Sequence, residues 1–329
     1  MLEAAQGVAG STFPLPLCAA CARREECLER GVPFGDYPAC RRPLRNTSLA
    51  RQAALLSWCD HRQGGPDARL VAVDARVLER FGSDRSRYSE IFEPSVSHDG
   101  AGWHLRRYSY AFPGYRDDPA GVRDALASLA SPFGEPFERW FAATLARATD
   151  RSVEQVLFGV AWESPSEWRL KLYLQFADGG QDAALAAAAR ILSLPVLKER
   201  FAGERLHLLG IDVGPEGLGA VKLYVEGEVF AVPGLEGLGA LRKALRIFRL
   251  APGRRLPDHP AEIDFPLAQN GLLFEDVARL SPVRAVVDGA DPLSVLGREF
   301  RIAVRRVSVS VPSPGKFTAY FVLTETDVP

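Results

Sequence analysis

The chain alternates between two spacings of apolar residues, one near 3.6 and one of 2, and this separates helical from strand-forming stretches. Phe137, Trp140, Phe141 and Leu145 recur at helical spacing, as does the alanine-rich run 182–192, and residues 235–248 can bury one helical face. Another helix is predicted over 47–58, where Thr47 or Ser48 can cap the first turn, and Arg62-Gln-Gly-Gly-Pro66 breaks the pattern after it. Between the helices, four segments overlay without gaps: WHLRRY at 103–108, WRLKLY at 168–173, GAVKLY at 219–224 and GKFTAY at 315–320. Their closing tyrosines are 65, 51 and 96 residues apart, and the last gap is about two units long, so a degenerate unit is predicted near 261–274. Apolar strands and turns precede these segments, at 156–162, 206–213 and 301–311. The pattern is a β-hairpin followed by a helix, repeated in five units.

Strand alternation assigns the faces, because residues two apart share one side. Leu105, Leu170, Leu172, Val221, Leu223 and Phe317 fall on an apolar side suited to packing on helices. The other side carries His104, Arg106, Tyr108 and Tyr110, then Arg169, Lys171, Tyr173 and Gln175, then Lys222, Tyr224 and Glu226, then Lys316, Thr318 and Tyr320. In an open sheet with helices on one side, that polar face would simply meet water. Repetition argues for more: only five of the forty basic residues are lysines, yet Lys171 and Lys222 take the same place, two before the tyrosine. Four of the eight tyrosines also share one repeat position. A closed barrel gives this repetition a purpose, since closure removes the sheet edges and points every second side chain inwards. The expected fold is therefore α+β, a closed antiparallel β-barrel of about ten strands with its helices outside, over 66–329.

Composition adds limits. With 47% hydrophobic and 25% charged residues the chain is globular, and forty basic against forty-one acidic residues give no overall pull towards nucleic acid or anionic lipid. No stretch reaches the roughly 18 apolar residues of a membrane span, and no basic start precedes a long apolar core, so a cytoplasmic location is expected. All five cysteines lie in the first fifth of the sequence, which marks residues 1–65 as a unit of its own. Cys18, Cys21, Cys27 and Cys40 are spaced C-x2-C-x5-C-x12-C and could bind a structural Zn or hold an iron–sulfur cluster, the alternative being buried or free thiols. Cys59-Asp-His61 could lend a ligand, although Cys59 itself is expected to stay outside the site.

A ring of lysine and arginine suits a polyanion such as a diphosphate, and tyrosines beside it offer π faces to a cation. An allylic diphosphate supplies both, because it ionises to diphosphate and an allyl cation that must be kept from water. Over about residues 70–329, the basic-x-Tyr repeats and helix–hairpin units resemble the aromatic prenyltransferases of the ABBA-barrel class, nearer the indole (dimethylallyltryptophan synthase-like) branch. The resemblance implies that Arg106, Lys171, Tyr173, Lys222, Tyr224 and Tyr320, with Tyr108 a weaker member, bind the diphosphate and shield the cation. It also implies a first-strand glutamate that takes the proton from the acceptor; Glu93 in IFEPS fits that place, with Glu90 in reserve. Read without the family, Glu93 is a turn-proximal surface carboxylate. The implied partners are an allylic diphosphate and an indole or phenol, free or within a peptide.

The chain departs from the family at Ala220, at Thr318 and in the fourth unit, which has lost its basic-x-Tyr triplet. Asp117-Asp118 is followed by Pro119-Ala-Gly and makes no DDxxD motif, so the basic side chains are expected to stand in for a metal and the barrel to need no cofactor. Two other readings compete. One is a non-catalytic ligand-binding barrel with a metal- or redox-sensing cysteine segment, and the other is a metal-cluster enzyme working at the cysteines.

Overall fold

A computed structural model describes residues 49–323, apart from 64–66, 84–91, 149–152, 177–179, 193–196, 228–234, 252–256, 281–291, 312–315 and the single positions 114, 116 and 165. Ten strands form a closed antiparallel barrel: β1 Phe92–His98, β2 Trp103–Pro113, β3 Val153–Ser164, β4 Glu167–Phe176, β5 Leu206–Gly214, β6 Gly217–Gly227, β7 Ala244–Leu250, β8 Glu262–Pro266, β9 Ile302–Ser310 and β10 Phe317–Leu323. Each strand pairs with its neighbours in sequence, and β1 pairs with β10 to close the ring. The five hairpins are the predicted repeats, and β8 occupies the place of the degenerate unit.

The described helices are α1 Leu49–Arg62, α2 Ala68–Ser83, α3 Pro119–Ala130, α4 Glu135–Ala148, α5 Gln181–Leu192, α6 Leu197–Arg200, α7 Phe274–Ala278 and α8 Pro292–Phe300. Asp118 caps α3 by accepting from the Gly121 amide, with Pro119 in the first turn, where its missing N–H costs nothing. The main core lies between this helical layer and the outer side of the barrel. There Leu170, Leu172, Val221, Leu223 and Phe317 are all buried, as the alternation predicts, and Phe141 of α4 meets Phe158 of β3 edge-on at 6.4 Å. Each such side chain contributes about 1.5–3 kcal/mol by leaving water. No helix among the described residues is long and apolar enough to cross a membrane.

Two expectations are corrected. Residues 235–248 are not a helix: a short 3-10 turn at Glu236–Leu238 leads into β7. Gly237 and Gly239, the latter at φ +70°, break the helical pattern, and Phe248 and Leu250 then alternate outwards in a strand. The second correction concerns β2. Ser95 of β1 pairs with Arg107 but Ser97 pairs with His104, so β2 carries one extra residue there, a β-bulge. Beyond it the side-chain phase is reversed. Arg107 pairs with Ala161, and Ser109 with Gly159, which in turn pairs with Lys171. Paired residues share a face, so Arg107 and Ser109 point into the lumen, while Arg106, Tyr108 and Tyr110 point out to the helices.

The outward network is consistent with that phase. Arg106 donates from Nε to Asp60 Oδ1 of α1 at 2.6 Å and also pairs with Asp74 of α2. The Tyr108 hydroxyl donates to Asp74 Oδ1 at 2.6 Å, and that of Tyr110 to Gln52 Oε1 at 2.8 Å. Helix α1 is thus bound to the barrel wall, so the end of the 1–65 stretch packs with the barrel. Cys59 of α1 is a buried free thiol whose pKa burial pushes up to about 12, and Cys18, Cys21, Cys27 and Cys40 lie outside the described residues.

Candidate active site

Second strands of the hairpins supply most of the lumen chemistry. Lys171 and Tyr173 come from β4, Lys222 and Tyr224 from β6, and Thr318 and Tyr320 from β10. In each pair the basic residue or its threonine counterpart lies two positions nearer the hairpin turn. Tyr173 and Tyr224 meet edge-on with ring centres 6.1 Å apart. First strands contribute small residues opposite them. A Cβ on Gly210 of β5 would lie 3.1 Å from Tyr224 Cε2 and 3.2 Å from Tyr173 Cδ1, so the two rings fold over a bare backbone. Gly159 of β3 makes similar room beside Lys171, whose Cβ would be 3.3 Å away.

Glu93 also faces the lumen, because it pairs with Ser109. It is not a free surface group: Arg306 of β9 donates from Nη2 to Glu93 Oε2 at 2.9 Å, and the guanidinium carbon lies 4.2 Å from the centre of the Tyr320 ring. Glu90 lies outside the described residues. Glu93, Tyr173, Arg306 and Tyr320 all keep part of their surface accessible, together with the inward-facing Leu157 and Leu208. The tyrosine level therefore combines aromatic and aliphatic wall with the partly accessible carboxylate of Glu93. At the hairpin end, Ala161, Trp168, Arg169 and Asp212 help to line a cavity of about 220 Å³.

The electrostatics follow from burial and crowding. Burial, together with neighbouring Arg107, Lys222 and Lys316, pulls the Lys171 pKa well below that of a free lysine, against the opposing effect of Asp212. Lys222 reaches Asp212 of β5 at 3.1 Å. Burial favours the neutral acid at Asp212, but Lys222 and Lys171 outweigh it and hold the group ionised. Burial likewise raises Tyr173, Tyr224 and Tyr320 above the usual phenol range, keeping them neutral and available as ring faces. Lys316 falls to about 8, chiefly through burial. Arg107 donates to Ser97 Oγ at 2.9 Å, and its Nε finds no acceptor among the described residues.

The lumen thus gathers Glu93, Lys171, Tyr173, Lys222, Tyr224 and Tyr320 as expected, and it excludes Arg106 and Tyr108. Arg107 takes the arginine place. Sequence reasoning also missed Asp212, Glu262, Asp264 and Arg306, although each interrupts a strand with a charged residue at an inward position. Such an ionic group in a half-apolar strand is the signal that was available.

This is a ten-stranded αββα barrel with a basic and tyrosine-lined interior. No protein-family model matches the chain, and no curated protein matches it either. Solved structures do. A 6-dimethylallyl tryptophan synthase superposes with a TM-score of 0.60 at 14% identity, over 85% of this chain and 99% of that one. The 5-dimethylallyl tryptophan synthase from Streptomyces coelicolor, solved in complex with DMASPP and Trp, gives 0.53 at 14% identity, over 87% and 97%. AnaPT from Neosartorya fischeri gives 0.54 at 15% identity, over 95% and 98%. The chain shares the fold of the indole prenyltransferases, at a sequence distance where fold is all that the likeness carries.

Proposed function

We propose that the protein transfers a prenyl group from an allylic diphosphate to an electron-rich aromatic acceptor, an indole or phenol, free or within a peptide. The observation that carries this reading is the meeting, inside one closed barrel, of Arg107, Lys171 and Lys222 with Tyr173, Tyr224, Tyr320 and Glu93. The basic groups take the diphosphate by charge-assisted hydrogen bonds, and the carbon–oxygen bond breaks with its electron pair leaving on the diphosphate. Burial and then its cationic neighbours disfavour the charged form of Lys171, and the negative charge of a bound diphosphate opposes both, so Lys171 responds to the ligand it binds. The tyrosine rings then face the allyl cation and keep water from it.

An acceptor carbon attacks the cation, the new carbon–carbon bond leaves a positive ring, and Glu93 takes the ring or N–H proton to restore aromaticity. Glu93 projects from β1 at the tyrosine level, beside Tyr320 and Arg306, where an acceptor and the cation would meet. Incubation with dimethylallyl diphosphate and a panel of tryptophan, tyrosine and cyclic peptides, read by mass, tests the reading. A mass gain on an aromatic acceptor is expected. Absence of both product and diphosphate binding would leave a barrel that merely holds a polar ligand, a second reading favoured by the fact that Asp212 and Glu262 already balance lumen lysines.

A further inference from the structure

The lumen is electrically lopsided. Lys171 and Lys222 of β4 and β6 stabilise the carboxylates of both Asp212 and Glu262, and Arg107 of β2 that of Glu262. On the side of β8 and β1 one guanidinium, that of Arg306, serves two carboxylates, Glu93 and Asp264. Strands β8 and β4 lie on nearly opposite sides of the ring. A diphosphate belongs to the first wall, and the second wall has one carboxylate more than its guanidinium can satisfy.

That carboxylate is Asp264. Asp264 pairs with Ser308 of β9 and Leu245 of β7, which puts its side chain on the lumen face. It is 1% exposed, and neither of its carboxylate oxygens accepts a hydrogen bond among the described residues. The groups that face it are Arg306 from β9, Glu93 from β1, its strand neighbour Glu262 and Tyr320 from β10. Arg306 is the cation among them, yet its Nε stays 3.4 Å from Asp264 Oδ1 while its other arm is given to Glu93. Glu262 is already shared with Ser308 and Lys316. A buried carboxylate left without a hydrogen bond is costly unless a ligand completes it.

We propose that Asp264 receives a cationic group, an ammonium or guanidinium, carried by the aromatic acceptor. The acceptor is therefore an amine-bearing arene, placed with its cation at Asp264 and its ring between Glu93 and the tyrosines. This rests on the prenyl-transfer reading above, but it predicts a preference that the reading alone does not. Burial pushes the Asp264 pKa up to about 7, against the pull of Arg306, so at neutral pH an arriving ammonium also completes its ionisation.

The test compares three indoles of matched size with dimethylallyl diphosphate: tryptamine as the cation, indole-3-ethanol as the neutral analogue and indole-3-propionate as the anion. Tryptamine should exceed indole-3-ethanol by about tenfold in kcat/KM, the value of one charge-assisted hydrogen bond, with the propionate lowest. Asp264→Asn should bring the tryptamine-to-ethanol ratio close to one and leave diphosphate affinity unchanged. The proposal is overturned if the propionate matches tryptamine, or if the folded variant keeps the preference. Should no indole be prenylated, the transfer reading fails by itself, and calorimetry of tryptamine against indole-3-ethanol in the presence of diphosphate decides the subsite. Equal binding there removes it.

Discussion

Replacing Lys222 by methionine should separate two roles that the lumen superposes. From sequence alone, a lumen lysine looks solvated and dispensable for folding. The structure changes that expectation, because Lys222 is 5% exposed and its ammonium lies 3.1 Å from Asp212, itself 1% exposed. Removing the lysine leaves a buried carboxylate short of its partner, a change that costs about 3–5 kcal/mol in buried pairs. Lys171 still faces Asp212, so the lower end of that range, about 3 kcal/mol, is expected here. Adding Asp212→Asn removes the orphaned charge, and stability should return to within about 1 kcal/mol of the wild type. Diphosphate affinity should not return: both variants lack the same charge-assisted contact, worth about 1.5–3 kcal/mol, or roughly tenfold to a hundredfold in Kd. Urea unfolding gives the first quantity and calorimetry with diphosphate the second. Equal stability of Lys222→Met and the wild type would refute the buried pair, and undiminished diphosphate affinity in either variant would refute the anion site.

Four further outcomes are expected. Glu93→Gln should keep diphosphate binding and lose transfer to the acceptor, measured by calorimetry beside product mass, since it removes the base alone. Arg106→Met should destabilise by about 3–5 kcal/mol in urea, because it strands Asp60 and Asp74 under α1 and α2, with no effect on diphosphate affinity. Gly210→Val should push the Tyr173 and Tyr224 rings apart, costing about 1–3 kcal/mol and raising the share of prenyl alcohol formed by water capture relative to prenylated acceptor. The last concerns pH. Asp264 has a folded pKa of about 7, raised from 3.8 by burial, so the folded state holds its proton where the unfolded state has lost it, and stability falls as pH rises from about 4 to 7. Asp264→Asn should flatten that slope, by about 2.5 kcal/mol between pH 5 and pH 7.5 in urea unfolding, the part of the shift that lies in that window.

Much of the fold could be read from the chain because the repeat made period and face visible together. Leu172 and Leu223 recur on one side and Lys171 and Lys222 on the other, and one phase holds along β4 and along β6 from Ala220 onwards. β2 defeats that logic. Arg106 and Arg107 are adjacent, both basic, and either could begin a basic-x-Tyr or basic-x-Ser series; only the extra residue that β2 carries opposite Ser95 and Ser97 decides which one enters the barrel. A bulge has no composition signature of its own, and a slip of one residue exchanges the two faces. β7 failed for a different reason. Seven residues with Leu245, Ile247 and Phe248 satisfy a helical stripe as readily as a strand, and its polar face is reduced to Arg249.

The partners across the lumen were harder still, because Asp212 comes from a first strand that reads as apolar and Asp264 from the degenerate second strand of the fourth unit. Asp212 stands in LHLLGIDVG and Asp264 in EIDFP, and nothing local says that each faces a basic or carboxylate neighbour from a distant hairpin. The division of labour makes physical sense. Second strands present long lysines and tyrosines, so the first strands between them must be small, as at Gly159 and Gly210, or must carry the countercharge, as at Asp212. A barrel lined only with lysine and arginine would repel itself when empty, and Lys171, whose pKa is pulled down by burial and then by Arg107 and Lys222, registers that repulsion. Internal carboxylates hold the empty barrel together. They also mean that an arriving anion competes with Asp212 for Lys222, so affinity for diphosphate is set by the difference between two contacts to the same ammonium.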